Sequence, residues 1–255
     1  MTTTAVVTGA GRGLGRCIAE RLAKRGHHVI VTDIDAAAAA ATASAIGGTS
    51  LAQDVRDPDS HRAVARAAKA PIAVWVNNAG VLSVGDAWQM SEADIRRMVE
   101  INLLGVIWGC HAALAAMTQG TILNIGSLSS LTPAPGLAVY AGTKHAVLGY
   151  SLSLAGELER ARRPIRVTTL CPDAIAGDMT KAVAHDAAAG ILFSGRQLTL
   201  DQVADEALAL IDGKSLVRAV PAARAAVIHL LRPFPRIGLP LMEQLAKLGR
   251  RKTQR

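Results

Sequence analysis

Residues 4–15 read TAVVTGAGRGLG, a short β-branched apolar run leading directly into four glycines. The run has the composition of a strand buried on both faces, and residues 13–25 after it have that of a helix. Glycines at a strand-to-helix junction let the backbone turn tightly and approach a pyrophosphate, whose charge then lies against the first amides of the helix. Gly9, Arg12, Gly13, Leu14 and Gly15 are therefore candidate dinucleotide-binding residues. Asp33 ends the next apolar run, HVIVTD, 18 residues after Gly15. A carboxylate there can accept from both ribose hydroxyls of adenosine and repels a 2′-phosphate, so NAD is expected and NADP disfavoured. Arg12 has two readings: a partner for a 2′-phosphate, or a cation that is solvated or paired with Asp33. The second is preferred, because a carboxylate beside a dianionic phosphate costs more than a mobile surface arginine gains.

Outward from this stretch, strand-length apolar runs alternate with helix-length segments. HVIVTD precedes 35–45, TSLAQD precedes 57–69, PIAVWVN precedes a long segment 91–118, and TILNIGS and IRVTTLCP flank a helix predicted over 138–160. This is the pattern of an α/β fold, a parallel sheet with helices on both faces. No repeat or linker divides residues 1–220, which are expected to form one domain; 221–255 are expected to be an extension.

Half of the 255 residues are hydrophobic and 3% are aromatic, enough for one large core. Cys17, Cys110 and Cys171 are far apart and lack metal or redox spacing, so no metal is expected and a reduced, cytoplasmic location is. The N-terminus has no basic region before an apolar one, and no apolar run approaches the ~20 residues of a membrane span. The net charge of +8 is local: from Pro221 onward eight basic residues face Glu243 alone, a net charge of +7. The body is nearly neutral and has no interleaved aromatics, so nucleic acid is not an expected partner.

Tyr140 and Lys144 stand at i and i+4 on the predicted helix and share one face. A phenol, with an ordinary pKa of about 10, serves as an acid or base near neutrality when a neighbouring cation favours its phenolate, and Lys144 is placed to be that cation. Ser127 lies thirteen residues before Tyr140 at the end of a buried run, where a strand would present its hydroxyl.

Taken together, the glycine turn at 8–15, Asp54-Val55, Asn77-Asn78-Ala79-Gly80, Asn102, Ser127 and Tyr140-x-x-x-Lys144 resemble the short-chain dehydrogenase/reductase family across residues 3–220. The resemblance implies a doubly wound Rossmann fold with a seven-stranded parallel sheet, and hydride transfer between a nicotinamide and a carbonyl or alcohol carbon. It implies that Tyr140 exchanges a proton with the substrate oxygen and that Ser127 holds that oxygen. Lys144 would lower the Tyr140 pKa and bond the nicotinamide ribose, and Asn102 would position a water. Asp54 and Val55 would meet the adenine, Asn78, Ala79 and Gly80 would line the cofactor path, and Pro172 and Ile175 would lie beside the nicotinamide. Ser129 and Ser130 are read as loop residues. The resemblance also implies a homodimer or homotetramer.

The chain departs from the family pattern after IRVTTLCP. Asp173 stands where a glycine is usual and Gly177 where a threonine is, so Thr180 or a backbone group is expected to take over the lost hydroxyl. The loops expected around the substrate offer Val81, Leu82, Val84, Trp88, Met90, Leu131, Pro133, Leu137, Met179, Val183, Ile191, Leu192 and Phe193. That lining suits a hydrophobic ketone or secondary alcohol. In the extension, 222–231 read as a short helix, Pro233, Pro235 and Pro240 as chain breaks, and Leu241, Met242, Leu245 and Leu248 as one face of a helix ending at Gly249. Such a segment suits either peripheral contact with an anionic membrane or packing on a partner subunit. The rival to an enzyme is a non-catalytic dinucleotide-binding scaffold or sensor acting through this basic tail.

Overall fold

A computed structural model describes residues 2–253. Seven strands form one parallel sheet: β1 (Thr4–Thr8), β2 (His28–Asp33), β3 (Thr49–Ala52), β4 (Ile72–Asn77), β5 (Gly120–Ile125), β6 (Ile165–Pro172) and β7 (Val217–Val220). Their order is β3-β2-β1-β4-β5-β6-β7, so the winding reverses between β1 and β4. In open α/β sheets that reversal leaves a crevice at the carboxyl ends of the strands.

Both faces of the sheet are covered, which explains the unbroken apolar runs. On one face α1 (Gly13–Lys24), α2 (Ala36–Ile46) and α8 (Leu200–Asp212) place Ile18, Leu22, Ala39, Val203 and Leu208 against Val7, Val31 and Val76. On the other, α3 (Pro58–Arg66), α5 (Gly105–Ala116) and α6 (Ala138–Arg160) pack Val64, Val106, Val147 and Leu158 around the fully buried Trp75. Each such side chain contributes about 1.5–3 kcal/mol by leaving water. The segment read as 91–118 is α4 (Glu92–Val99), a π-helical turn (Glu100–Leu104) and α5 in continuous succession. Glu92–Ala116 is long and apolar enough to cross a membrane, but its α5 half is built into the core.

Inside the sheet the Thr169 hydroxyl on β6 is buried without a partner among the described residues, while the asparagines are paired. Asn77 accepts from the Trp75 indole (2.9 Å) and donates to Asn124 (2.8 Å), which donates to Ser151 on α6 (2.9 Å). His61 is fully buried on α3, with Nε2 2.9 Å from the Val55 carbonyl, and burial lowers its pKa. Its neutral form is therefore the folded form, whereas the unfolded chain takes up a proton near pH 6.5. Stability should be complete above that pH and fall as pH drops through 6.5 towards the depressed folded value. Thermal melts from pH 8 to pH 5 should show this slope, and His61→Gln should flatten it.

Past β7 the chain forms two further helices, α9 (Ala222–Leu231) and α10 (Pro235–Thr253). The break expected at Pro233 and Pro235 falls between α9 and α10, with Pro235 beginning α10; the one expected at Pro240 is absent, since Pro240 lies inside α10 and the helix continues through Gly249. Pro235 supplies a fixed φ at the first helical position. One side of α10 buries Met242 and Ala246 against Leu137, Ala141 and Ile191, which holds the helix together despite Pro240. Gln254 and Arg255, at the basic end of the tail, lie outside the described residues.

Candidate active site

The glycine turn is shaped by the loop that crosses it. Gly9 (φ +61°) faces Ala79 so closely that a Cβ would touch its Cα at 2.8 Å. Asn78 donates to the carbonyls of Thr8 and Gly9 (both 2.9 Å), while the Thr8 hydroxyl accepts from the amides of Asn78 (3.0 Å) and Ala79 (3.1 Å). Gly13 (φ +56°) opens α1, and a Cβ there would meet nothing within 4 Å. The N-cap residue, Arg12, makes no capping bond and the first turn has no acidic residue, so the first amides of α1 are available to an anion. This cradle fits a pyrophosphate.

At the end of β2, Asp33 is oriented by two backbone amides, Gly11 (2.9 Å) and Asp35 (3.1 Å), and it lines the same cleft. Arg12 is exposed and its guanidinium makes no hydrogen bond or ion pair among the described residues, which agrees with the solvated reading. Asp54 also lines the cleft, but Arg56 holds its carboxylate with Nε at 3.0 Å and lowers its pKa; any adenine amine must share that carboxylate. Val55 is buried beside Gly105, where a Cβ would sit 3.0 Å from its side chain.

β5 ends at Ile125, and the chain turns at Ser127 into a 3-10 turn (Leu128–Ser130). The Ser127 hydroxyl accepts from the Ser129 amide (3.1 Å), and the Ser130 hydroxyl accepts from the Ser127 amide (3.1 Å). Ser130 is therefore part of the turn's framework. α6 brings Tyr140 and Lys144 to the same place: Lys144 is buried and donates to the Ile125 carbonyl (2.8 Å), with its Nζ 5.8 Å from the Tyr140 ring centre. Burial pushes the Tyr140 phenol up to about 12, with the Ser127 hydroxyl pulling the other way, and pulls Lys144 down to about 8. Whatever the Lys144 charge contributes in the other direction is outweighed in this geometry. Desolvation dominates, and the group at neutral pH is an intact phenol beside a lysine poised near its own pKa.

Asn102, in the π-helical turn, is fully buried with its amide committed to Val81: Oδ1 accepts from the Val81 amide and Nδ2 donates to its carbonyl, both at 2.8 Å. It anchors the loop carrying Asn78, Ala79 and Gly80, and its Oδ1 keeps a second lone pair for the water that the resemblance implies. A Cβ on Gly80 would stand 3.3 Å from Asn102 Oδ1 and 3.9 Å from Lys144 Nζ, which places these groups next to one another.

Pro172 and Ile175 line the cleft, and Ile175 pairs with Leu198 in an isolated parallel bridge. The Thr180 hydroxyl, on the short helix α7 (Asp178–Ala182), lies 2.8 Å from the Ile175 carbonyl and 3.0 Å from that of Gly177, so it is engaged by its own segment. Asp173 is tied to the extension: one oxygen accepts from the Ala174 amide (2.8 Å) and the other from Arg224 on α9 (2.6 Å). Arg224 also donates to Ser194 (2.7 Å), so one guanidinium joins the end of β6, α9 and the substrate loop. Arg224→Ala should leave a largely buried carboxylate unpaired and cost about 2 kcal/mol. Asp173→Gly in the same chain should recover most of that, and a double-mutant cycle on thermal stability reads the coupling.

The cleft, about 690 Å³, runs from Gly9 and Asp33 past Ser127, Tyr140 and Lys144 to an apolar end. Val81, Leu82, Pro133, Leu137, Met179, Ile191 and Leu192 line it as expected; Trp88 instead is 80% exposed and Leu131 packs in the core below. Sequence reasoning missed Leu241, Met242 and Leu245 of α10, which also line it, and Arg224. The misplaced charge at Asp173 and a lone arginine in an alanine-rich helix were the available signals for that pair.

A model of the short chain dehydrogenase family matches residues 3–188. The 3-oxoacyl-[acyl-carrier-protein] reductase FabG of Escherichia coli is 38% identical over 196 residues, 74% of this chain and 80% of the relative. The putative oxidoreductase SadH of Mycobacterium tuberculosis is 31% identical over 245 residues, 89% of this chain and 88% of the relative. A short chain dehydrogenase/reductase from Burkholderia phymatum, solved in complex with NAD, superimposes with a TM-score of 0.84 at 25% identity, covering 92% of this chain and 95% of that one. With this sheet, this glycine cradle and these relatives, the chain belongs to the short-chain dehydrogenase family and is an NAD(P)-dependent oxidoreductase on a Rossmann fold.

Proposed function

We propose that the protein interconverts a hydrophobic ketone and its secondary alcohol with NAD as the preferred cofactor, and that reduction is the direction its acid favours. The observation that carries this reading is the convergence of Ser127, Tyr140 and Lys144 on a cleft whose far end is roofed by Leu241, Met242 and Leu245. The nicotinamide, when bound, supplies or accepts the hydride. Tyr140, a neutral phenol, gives its proton to the carbonyl oxygen as charge develops there, and Ser127 holds that oxygen by its hydroxyl. Lys144 has one of its three donors on Ile125, leaving the others for the nicotinamide ribose and for the phenolate left behind. The glycine turn and Asn78, Ala79 and Gly80 take the pyrophosphate and the cofactor path, and Asp33 takes the adenosine ribose.

Two relatives of different names leave the substrate to the apolar end of the cleft. The name 3-oxoacyl-[acyl-carrier-protein] reductase marks the ketone of an acyl chain as one member of the class, and the α10 roof offers the apolar contacts such a chain needs. The family resemblance supports a dimer or tetramer as the working assembly. The test is oxidation of NADH and of NADPH against water-soluble and long-chain ketones. NADH should give the higher kcat/KM, and Asp33→Ala should shift the NADH-to-NADPH ratio at least about tenfold towards NADPH, the worth of one charge-assisted hydrogen bond to the ribose. An unchanged ratio removes Asp33 from the selection of cofactor.

A further inference from the structure

From residue 213 onward the chain holds one acidic residue, Glu243, and Arg250 pairs with it at 2.9 Å. While α10 buries Met242 and Ala246 on one side, the end of α9, the turn after it and the start of α10 present Leu230 (72% exposed), Phe234 (55%), Ile237 (62%) and Leu239 (44%) to solvent. Arg232 and Arg236 flank Phe234 and are exposed, and their guanidinia make no hydrogen bond or ion pair among the described residues. Pro233 and Pro235, on either side of Phe234, restrict the backbone of this apex. Large apolar side chains held out of a soluble body cost free energy unless something covers them, and scattered single exposure does not describe four within ten residues.

We infer that this α9–α10 apex docks on an anionic lipid surface. The charge selects the occupant: guanidinia can meet phosphates at the headgroup level while Phe234, Ile237 and Leu239 enter the acyl boundary. A second copy would bring Arg232 and Arg236 against their own equivalents, with the apex offering no carboxylate to neutralise them. The apex also continues into the substrate cleft, since Val227, half-exposed on α9, and Leu241 on α10 line its rim. A docked apex therefore sets that rim at the lipid boundary, where a hydrophobic ketone is concentrated.

The experiment is co-sedimentation of the full-length protein with vesicles of phosphatidylcholine alone and with about a third phosphatidylglycerol, at low and at high salt. Binding should appear on the anionic vesicles, be weak on the neutral ones, and fall with salt. Arg232→Gln with Arg236→Gln should weaken partitioning about thirtyfold, at about 1 kcal/mol for each arginine. Phe234→Ser with Ile237→Ser should weaken it more than about tenfold. Circular dichroism and cofactor binding in solution, neither of which uses the apex, should match the unmodified protein and establish that each variant is folded. Equal binding to both vesicle types, no binding to either, or unaltered binding by either folded pair overturns the proposal. A change of oligomeric state in the variants by light scattering, without vesicle binding by the unmodified protein, assigns the apex to a second copy instead. Vesicle binding is read without turnover, so failure to find a ketone substrate leaves this result intact.

Discussion

Tyr140→Phe is expected to lower ketone reduction by about 10³-fold while leaving NADH binding and the fold unchanged. The substitution removes one oxygen. The aromatic ring remains beside Leu137 and Ala141 in the cluster that seats α10, so the packing that shapes the cleft is kept. What disappears is the proton donor. At neutral pH the phenol, pushed up to about 12 by burial, is protonated in nearly every molecule, which suits giving a proton to a carbonyl oxygen that becomes basic as hydride arrives. The reverse reaction begins by removing a proton from an alcohol, for which this phenol must first ionise. A cationic lysine and an oxidised nicotinamide favour that ionisation, and Lys144, pulled down to about 8, supplies its charge only below that pH. Stopped-flow absorbance of NADH and equilibrium titration by its fluorescence separate chemistry from binding. A scaffold acting through its basic tail would retain its cellular role in Tyr140→Phe, whereas an enzyme would lose it.

The alternation of buried strands and helices was legible because every central strand is covered on both faces and therefore mostly apolar on both, as in TAVVT and PIAVWVN. The site was legible for a related reason. Gly9, Gly13, Asp33, Ser127, Tyr140 and Lys144 have chemistry tied to backbone positions at strand ends and helix starts, and those positions follow from the alternation itself. Asn102 illustrates the limit: its place beside Lys144 could be expected, but that its amide ties to the Val81 backbone depends on a loop whose path no periodicity reports. Trp88 illustrates another, since apolar character alone does not distinguish a side chain lining a cleft from one left in solvent. The extension was the hardest part. Pro240 reads as a helix breaker at a cost of about 3 kcal/mol, and only the seating of residues 242–249 on the substrate loop, a contact between distant segments, explains why α10 continues through it.

That seating makes the second large effect. Ala246→Asp is expected to lower kcat/KM for a long-chain ketone about a hundredfold and to leave turnover of a small water-soluble ketone within a few-fold of its original value. Ala246 is buried at the centre of the contact between α10 and the 3-10 segment (Ala187–Phe193). The two backbones approach so closely that a Cβ on Gly190 would collide with the Ala246 carbonyl, and one on Gly249 with the Gly190 carbonyl. A carboxylate placed there enters the apolar seam formed by Leu137, Ala141, Ile191 and Met242, next to an Arg250 that already pairs with Glu243, and burying it costs more than undocking one terminal helix. Undocking withdraws Leu241, Met242 and Leu245 from the cleft. At about 1 kcal/mol for each partly covered side chain the loss approaches 3 kcal/mol, or about a hundredfold in kcat/KM, carried mainly by KM because the contact is made in the ground state and the transition state alike. Ser127 and Lys144 are held by β5 and by the Ile125 carbonyl, and of the three groups only the Tyr140 ring shares the cluster that seats α10, so a ketone too short to reach the roof should lose little. Steady-state kinetics over a series of ketones of increasing chain length measures this directly. A uniform loss across the series would assign α10 a role in holding the catalytic groups instead of the substrate.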